Sequence, residues 1–221
     1  MKYSFRFVIV AAIFVSCLIT ANIIAIKVIS AGPFIFPAAI VIFPISYIFG
    51  DILTEVYGYR LARKIIWLGF ACNLLFVFFA WIGQILPPAS FWEGQTAYKS
   101  ILGNTPRLLA ASFVGYLVGE FINSFVLAKM KILTKGRWLW SRTIGSTVAG
   151  QALDTSLFII IAYFGTSSFV PNMILFHWLA KVLIESAATP FTYLLVNSLK
   201  KRESIDTYDY RTKFNPFLVT D

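Results

Sequence analysis

The sequence predicts an all-α, polytopic membrane protein with six transmembrane helices, on the strength of three observations. Of its 221 residues, 58% are hydrophobic and 13% charged, with a mean hydropathy of +0.77, well away from the balance of a soluble globular domain. Six apolar stretches approach the roughly 20 residues needed to cross the hydrocarbon core of a bilayer. The basic residues gather beside these stretches on alternate loops, the pattern that orients a chain in a membrane.

The first span, residues 7–26, follows Lys2 and Arg6 and superficially suggests a signal peptide. Its apolar run is too long and lacks a small-residue cleavage site, so it reads as a retained helix. The others cover residues 33–50, 65–86, 108–127, 143–164 and 173–195. Residues 1–200 thus form one six-helix transmembrane domain, with 201–221 a polar tail carrying some disorder. Residues 87–106 mix Phe91, Trp92 and Tyr98 with polar groups, which suits a short interfacial helix that could lid a site. In "KMKILTKGRWLWSR", Trp138 and Trp140 read as anchors at headgroup level.

Placing both termini on one side puts fifteen lysines and arginines there. Only Lys27, Lys99 and Arg107 fall opposite, with Lys181 inside the last span. Both termini are therefore expected to be cytoplasmic. The same distribution accounts for the net charge of +9 without a nucleic-acid partner. Little chain remains for a soluble catalytic or nucleotide-binding domain. Cys17 and Cys72 fall within spans as small buried hydrophobes. One histidine, His177, cannot make a multi-histidine metal site, and no P-loop or G-x-S-x-G elbow is present. No cofactor, metal or catalytic set is expected; an intramembrane enzyme remains an alternative. "GYLVG" at residues 115–119, extended by Ala111, and the pair Gly145 and Ala149 let backbones approach closely. Packing within the chain is the simpler reading, a homodimer the other.

The polar residues inside the spans carry the functional signal, because an ionisable group at the bilayer centre costs about 2.5 to 3.5 kcal/mol on insertion scales. In the fourth span Ser112, Tyr116 and Glu120 recur every four residues, with Asn123 three further on. In the fifth, Thr147, Gln151 and Asp154 share a face, and in the sixth His177, Lys181 and Glu185 do. Three helices thus each offer a carboxylate and a neighbouring hydrogen-bonding group, which points to a common polar cavity. Lys181 and Glu185 could instead neutralise each other. Asn22 and Asn73 are weaker candidates for the cavity, and Pro190 could open the last helix and free a carbonyl toward it. At the end of the second span, Asp51 and Glu55 lie on one helical face. Acids beside an anionic leaflet need partners, for which Arg63 and Arg142 are available, as a gate or a structural clasp.

Around that stretch, "FP", then "D-x-x-T-E-x-x-G", then "A-R-K" resembles the queuosine precursor transporter family of small six-helix membrane proteins related to vitamin uptake transporters. The likeness continues through "R-L-L-A-A-S-F-x-x-Y-x-x-G-E" at residues 107–120, "S-T-x-x-G-Q-x-x-D-T-x-x-F" at 146–158, and Lys181. It implies a multi-pass transporter of the bacterial cytoplasmic membrane that imports a 7-deazaguanine (the cyano or aminomethyl form, or queuine) for salvage into modified tRNA, and it favours carrying over Asp51, Arg107, Asp154 and Lys181. In that reading Asp154 or Glu120 accepts the two adjacent N–H donors of a guanine-like edge. Gln151 or Asn123 meets the ring carbonyl and pyrrole nitrogen, and Tyr116, Phe158 or Trp178 stacks on the base. Lys181 and Glu185 complete the site. Asp51, Glu55, Arg63 and Arg107 are the gating or structural set. A substrate-binding subunit of an ATP-driven vitamin importer is the alternative.

Overall fold

A computed structural model describes residues 4–31, 34–103, 106–166, 169 and 171–218. Helix α1 (Phe5–Ile24) starts on Ser4, whose hydroxyl accepts from the Phe7 amide at 3.1 Å. An antiparallel hairpin follows, β1 (Val28–Ala31) with β2 (Phe34–Pro37), Val28 opposite Pro37. A 3-10 turn (Ala38–Val41) leads into α2 (Phe43–Tyr57), α3 (Tyr59–Ile85), the short α4 (Gln95–Leu102), α5 (Pro106–Leu133), α6 (Leu139–Tyr163) and α7 (Asn172–Glu203). The chain is an all-α, multi-pass membrane protein: α1, α3, α5, α6 and α7 are each long and apolar enough to span a bilayer.

The second expected span is corrected. Its first residue, Pro33, lies outside the described residues. From Phe34 onward, residues expected as helix form β2 and the 3-10 turn, and the helix runs only from Phe43 to Tyr57. Proline is the physical reason, because it lacks the amide a helix interior needs and is tolerated in a first turn. Pro37 precedes the 3-10 turn and Pro44 sits in the first turn of α2. At 15 residues, α2 is too short to cross by itself, and the hairpin satisfies the non-helical backbone leading into it.

Helix α2 is nevertheless the centre of the bundle, packed against α1, α3, α5 and α7. Every residue from Gly50 to Tyr57 is buried. Phe7, Val10 and Phe14 of α1 meet Ile52, Leu53 and Val56 of α2, with Ala62 and Ile65 of α3 and Val196 of α7. Helices α5 and α6 pack along a glycine seam, where a Cβ added to Gly119 would lie 3.2 Å from the Gly150 carbonyl and one added to Gly150 2.8 Å from that of Gly119. Close packing within the chain thus uses Gly119 of the expected motif. Its partner is Gly150; Gly145 faces Met130 instead. The short helix expected between the third and fourth spans is α4, tied to α3 by Tyr98 donating to the Ala80 carbonyl at 3.1 Å. Helix α7 runs through Pro190 without a break, contrary to the expected local opening; residues on either side keep its helical bonding.

The tail does not show the expected disorder over residues 204–218. It folds back onto the junction of α2 and α3, where Gly58 takes φ +85°, a conformation that suits glycine. The Thr207 amide donates to the Val56 carbonyl at 3.2 Å. The Asp209 carboxylate accepts from the Tyr59 amide at 3.0 Å and from the Thr212 hydroxyl at 2.7 Å, satisfying an amide at the start of α3 as an N-cap does. Arg63 donates to the carbonyls of Lys213 (3.0 Å) and Asn215 (2.7 Å), and the Trp67 indole to that of Pro216 (2.8 Å). Replacing Asp209 by Ala is expected to lower stability by about 1 kcal/mol and to speed proteolysis of the tail, read by thermal unfolding in detergent and limited digestion.

Candidate functional site

Helices α2, α5, α6 and α7 bring polar side chains together at two levels. At the basic end, Glu55 is fully buried and cannot be hydrated, so its charge has to be met by protein groups. Arg142 of α6 supplies a two-pronged contact, Nε to Oε2 and Nη2 to Oε1, each at 2.8 Å. Lys200 of α7 reaches Oε1 at 2.6 Å, and Lys131 of α5 stands 3.6 Å from the same oxygen. Lys131 also donates to the Glu55 carbonyl (2.6 Å), the Asp206 carboxylate (2.5 Å) and the Thr207 carbonyl (2.7 Å). Lys200 contacts Asp206 at 2.8 Å. One carboxylate therefore ties three helices and the tail to α2.

Of the two partners expected for the acids, Arg142 is found on Glu55, whereas Arg63 holds the tail carbonyls. Arg107 lies far from both, donating through Nε to the Ile161 carbonyl at 2.6 Å and through Nη2 to that of Phe164. It closes the C-terminal end of α6, where carbonyls lack partners within the helix. The lysines and Asp206 of this clasp carry no distinguishing spacing, because bases near a span end are explained by orientation alone.

Deeper in the bundle lies the second level. Asp51, one turn before Glu55, turns into the interior and accepts from the Asn123 side-chain amide at 3.2 Å. The Glu185 carboxyl stands beside it. Lys181 of α7 binds Asp154 of α6 at 2.5 Å, so the expected alternative of a Lys181–Glu185 pair within one helix is not the arrangement adopted. The pair remains partly accessible, with side chains 14% and 23% exposed. Asp154 packs on the glycine face of α5: a Cβ at Gly115 would meet its Oδ1 at 2.8 Å. Glu120 points toward Gly50 of α2, 3.5 Å from where a Cβ would stand.

Sequence reasoning missed the start of α2. The Phe43 ring lies 5.1 Å beneath the Lys181 ammonium and stacks with Tyr47, centroids 5.8 Å apart at 15°. Tyr47 is buried amid Asp154, Glu185 and Glu120. Both rings were legible only as part of an apolar run. Four buried polar atoms around this level, the Tyr47 hydroxyl, Gln151 Oε1, Asn123 Oδ1 and the Thr155 hydroxyl, have no hydrogen-bond partner among the described residues. Buried groups of this kind are normally satisfied, so their concentration beside the carboxylates marks a place built for polar contact.

Not every candidate joins this cluster. Asn22 and Asn73 bond each other at 2.7 Å between α1 and α3. The Tyr116 hydroxyl donates to the Ile66 carbonyl at 3.0 Å. Phe158 lies a turn beyond Asp154, its Cβ 3.5 Å from the position a Cβ on Gly115 would take. The Trp178 indole donates to the Val148 carbonyl at 3.0 Å. Two cavities, of about 380 and 230 Å3, lie at the tail and between α1 and α7.

A family model described as "Putative vitamin uptake transporter" matches residues 37–195. The chain is similar to a "Probable queuosine precursor transporter" of Bacillus subtilis (strain 168), 31% identical over 149 residues covering 65% of this chain and 64% of that protein. It is also similar to a "Queuosine precursor transporter" of Escherichia coli (strain K12), 26% identical over 144 residues covering 65% and 61%. It thus spans a little under two thirds of the length of either relative. No solved structure matches.

Removing one partner of a buried ion pair typically costs about 3 to 5 kcal/mol. Glu55→Ala is therefore expected to be the most destabilising single change at the basic end, seen as a fall in the unfolding midpoint of the purified protein. Asp206 tests the periphery of the same network. Burial pushes its carboxyl up, but hydrogen bonds from Lys131 and Lys200 outweigh that and hold it below the usual carboxylate range. A lowered folded value means stabilisation that is present at neutral pH and lost as pH falls through that value. The gap in unfolding midpoint between wild type and Asp206→Asn should be full at pH 7 and close below about pH 4.

Proposed function

Since the chain belongs to the family described as putative vitamin uptake transporters, we propose that it imports a queuosine precursor, a 7-deazaguanine base, across a bacterial cytoplasmic membrane with both termini inside. The names of the two relatives support the substrate class. The observation that carries the reading is the central level itself: a Lys181–Asp154 pair near Glu120 and Glu185, ringed by buried polar atoms that have no hydrogen-bond partner among the described residues.

A guanine-like edge presents two neighbouring N–H donors, which one carboxylate accepts together. Glu120 or Asp154 supplies that acceptor, and Gln151 and Asn123 supply neutral groups for the remaining ring atoms. Phe43 and Tyr47 offer the aromatic faces, a role that Phe158 and Tyr116 fill less directly. The role of Lys181 is to neutralise Asp154 until the base arrives. Lys181 and Asp154 are in direct contact, so a base that takes Asp154 requires that pair to part, and its parting is the switch between the two exposures of the site. A ligand lacking the N–H donors would leave a buried carboxylate unpaired, which makes discrimination sharp. The reaction is movement of the base, with no bond made or broken, so the protein acts as a transporter rather than an enzyme.

Uptake of labelled precursor by proteoliposomes containing this chain alone tests the reading. Asp154→Ala and Lys181→Met should each lower uptake by about tenfold or more, while the folded protein persists. Normal uptake by both variants would place the site elsewhere. Uptake that appears only with an added ATPase would make the chain a binding subunit instead.

A further inference from the structure

Where the tail returns to α3 it encloses a basic hollow, away from the residues of the transport reading. The cavity of about 380 Å3 is lined by Arg60, Arg63, Tyr208, Arg211, Thr212 and Lys213. Four of these six are cations. Arg63 is committed to the carbonyls of Lys213 and Asn215 and fixes the wall. Arg60, Arg211 and Lys213 are exposed and have no acidic partner among the described residues. The acid nearest in the chain, Asp209, is buried and engaged by the Tyr59 amide and the Thr212 hydroxyl.

Orientation in the membrane explains why bases are abundant at this end. It does not explain why the tail is fastened so that Arg211 and Lys213 share a hollow with Arg60, since like charges repel and a solvated tail would separate them. The depth of the hollow is set by its neighbours. Along α3 from Arg60, Trp67 is tied to Pro216, and Leu68 (49% exposed) and Phe217 (75% exposed) present apolar surface. A tryptophan with apolar neighbours next to bases is the signature of the headgroup layer.

We infer that this cavity binds a phosphate-bearing anion through Arg60, Arg211 and Lys213. Its depth favours the phosphodiester headgroup of an anionic lipid; inorganic phosphate is the other source of the same chemistry. Guanidinium groups suit either, because their planar fork matches two phosphate oxygens at once. A bound anion would hold the tail down on α3, and with it Asp206 against Lys131 and Lys200.

The test uses the purified chain of 221 residues, stripped of lipid in a neutral detergent. Retention of phosphatidylglycerol against phosphatidylcholine is read by native mass spectrometry, and the unfolding midpoint is followed against inorganic phosphate with chloride at matched ionic strength. The wild type should retain phosphatidylglycerol preferentially, and Arg60→Gln/Arg211→Gln/Lys213→Gln should weaken it by about tenfold or more. Arg60→Gln alone should give a partial loss with an unchanged midpoint in the absence of ligand. A phosphate-specific rise in midpoint that the triple variant lacks, without lipid preference, assigns the site to free phosphate. Equal retention of phosphatidylglycerol by wild type and both variants, with no phosphate response, overturns the inference.

Discussion

A carboxylate without water has to be answered by the protein, and Glu55 is in that position. It sits in the last turn of α2, where its neighbours in sequence are buried, and it collects Arg142 in two-pronged fashion together with Lys200 and the more distant Lys131. Each cation comes from a different helix, so satisfying one charge fixes α5, α6 and α7 relative to α2. In a bilayer the hydrophobic effect does not drive helix against helix, because lipid is as apolar as leucine. Charge satisfaction and close contact must do so, and here they divide the work: the Glu55 clasp at the basic end, the Gly119–Gly150 seam between α5 and α6.

The broken second span leaves a short helix that carries both buried acids. The helix starts at Phe43, ends at Tyr57, and holds Asp51 and Glu55 buried. A single turn separates them, yet they meet different surroundings. Asp51 reaches Asn123 and Glu185 at the central level, and Glu55 the cations at the periphery. The short helix contributes one acid to each of the two polar levels.

Much of this was legible in the sequence. Long apolar stretches fix the spans because backbone groups in lipid must bond within the chain, and the three- and four-residue recurrence of Glu120, Gln151, Asp154, Lys181 and Glu185 with their neighbours fixes the faces that meet. Partner choice was less legible: Lys181 could serve Glu185 on its own helix or Asp154 across an interface, and only packing decides. The hairpin was hidden because its apolar residues continue the hydropathy of a helix, with Pro37 the main cue. The tail was misread because polar composition speaks for disorder, whereas its bonding depends on Asp209 meeting Tyr59 and on Arg63 finding Lys213 and Asn215, contacts 150 or more residues distant in sequence. The role of Phe43 and Tyr47 could not be read from an apolar run in which every other residue looks equally suited to the core.

Helix α7 is 32 residues long and passes Pro190 unbroken. Lys181, in contact with Asp154, and Lys200, in contact with Glu55, belong to that one rod, some nineteen residues or about 29 Å apart. A stiff rod pinned at two points cannot shift at one without tilting at the other. Whatever pries Lys181 loose in mid-membrane therefore pulls on the lysine at the far end, and the missing amide at Pro190 is where such a lever would give first.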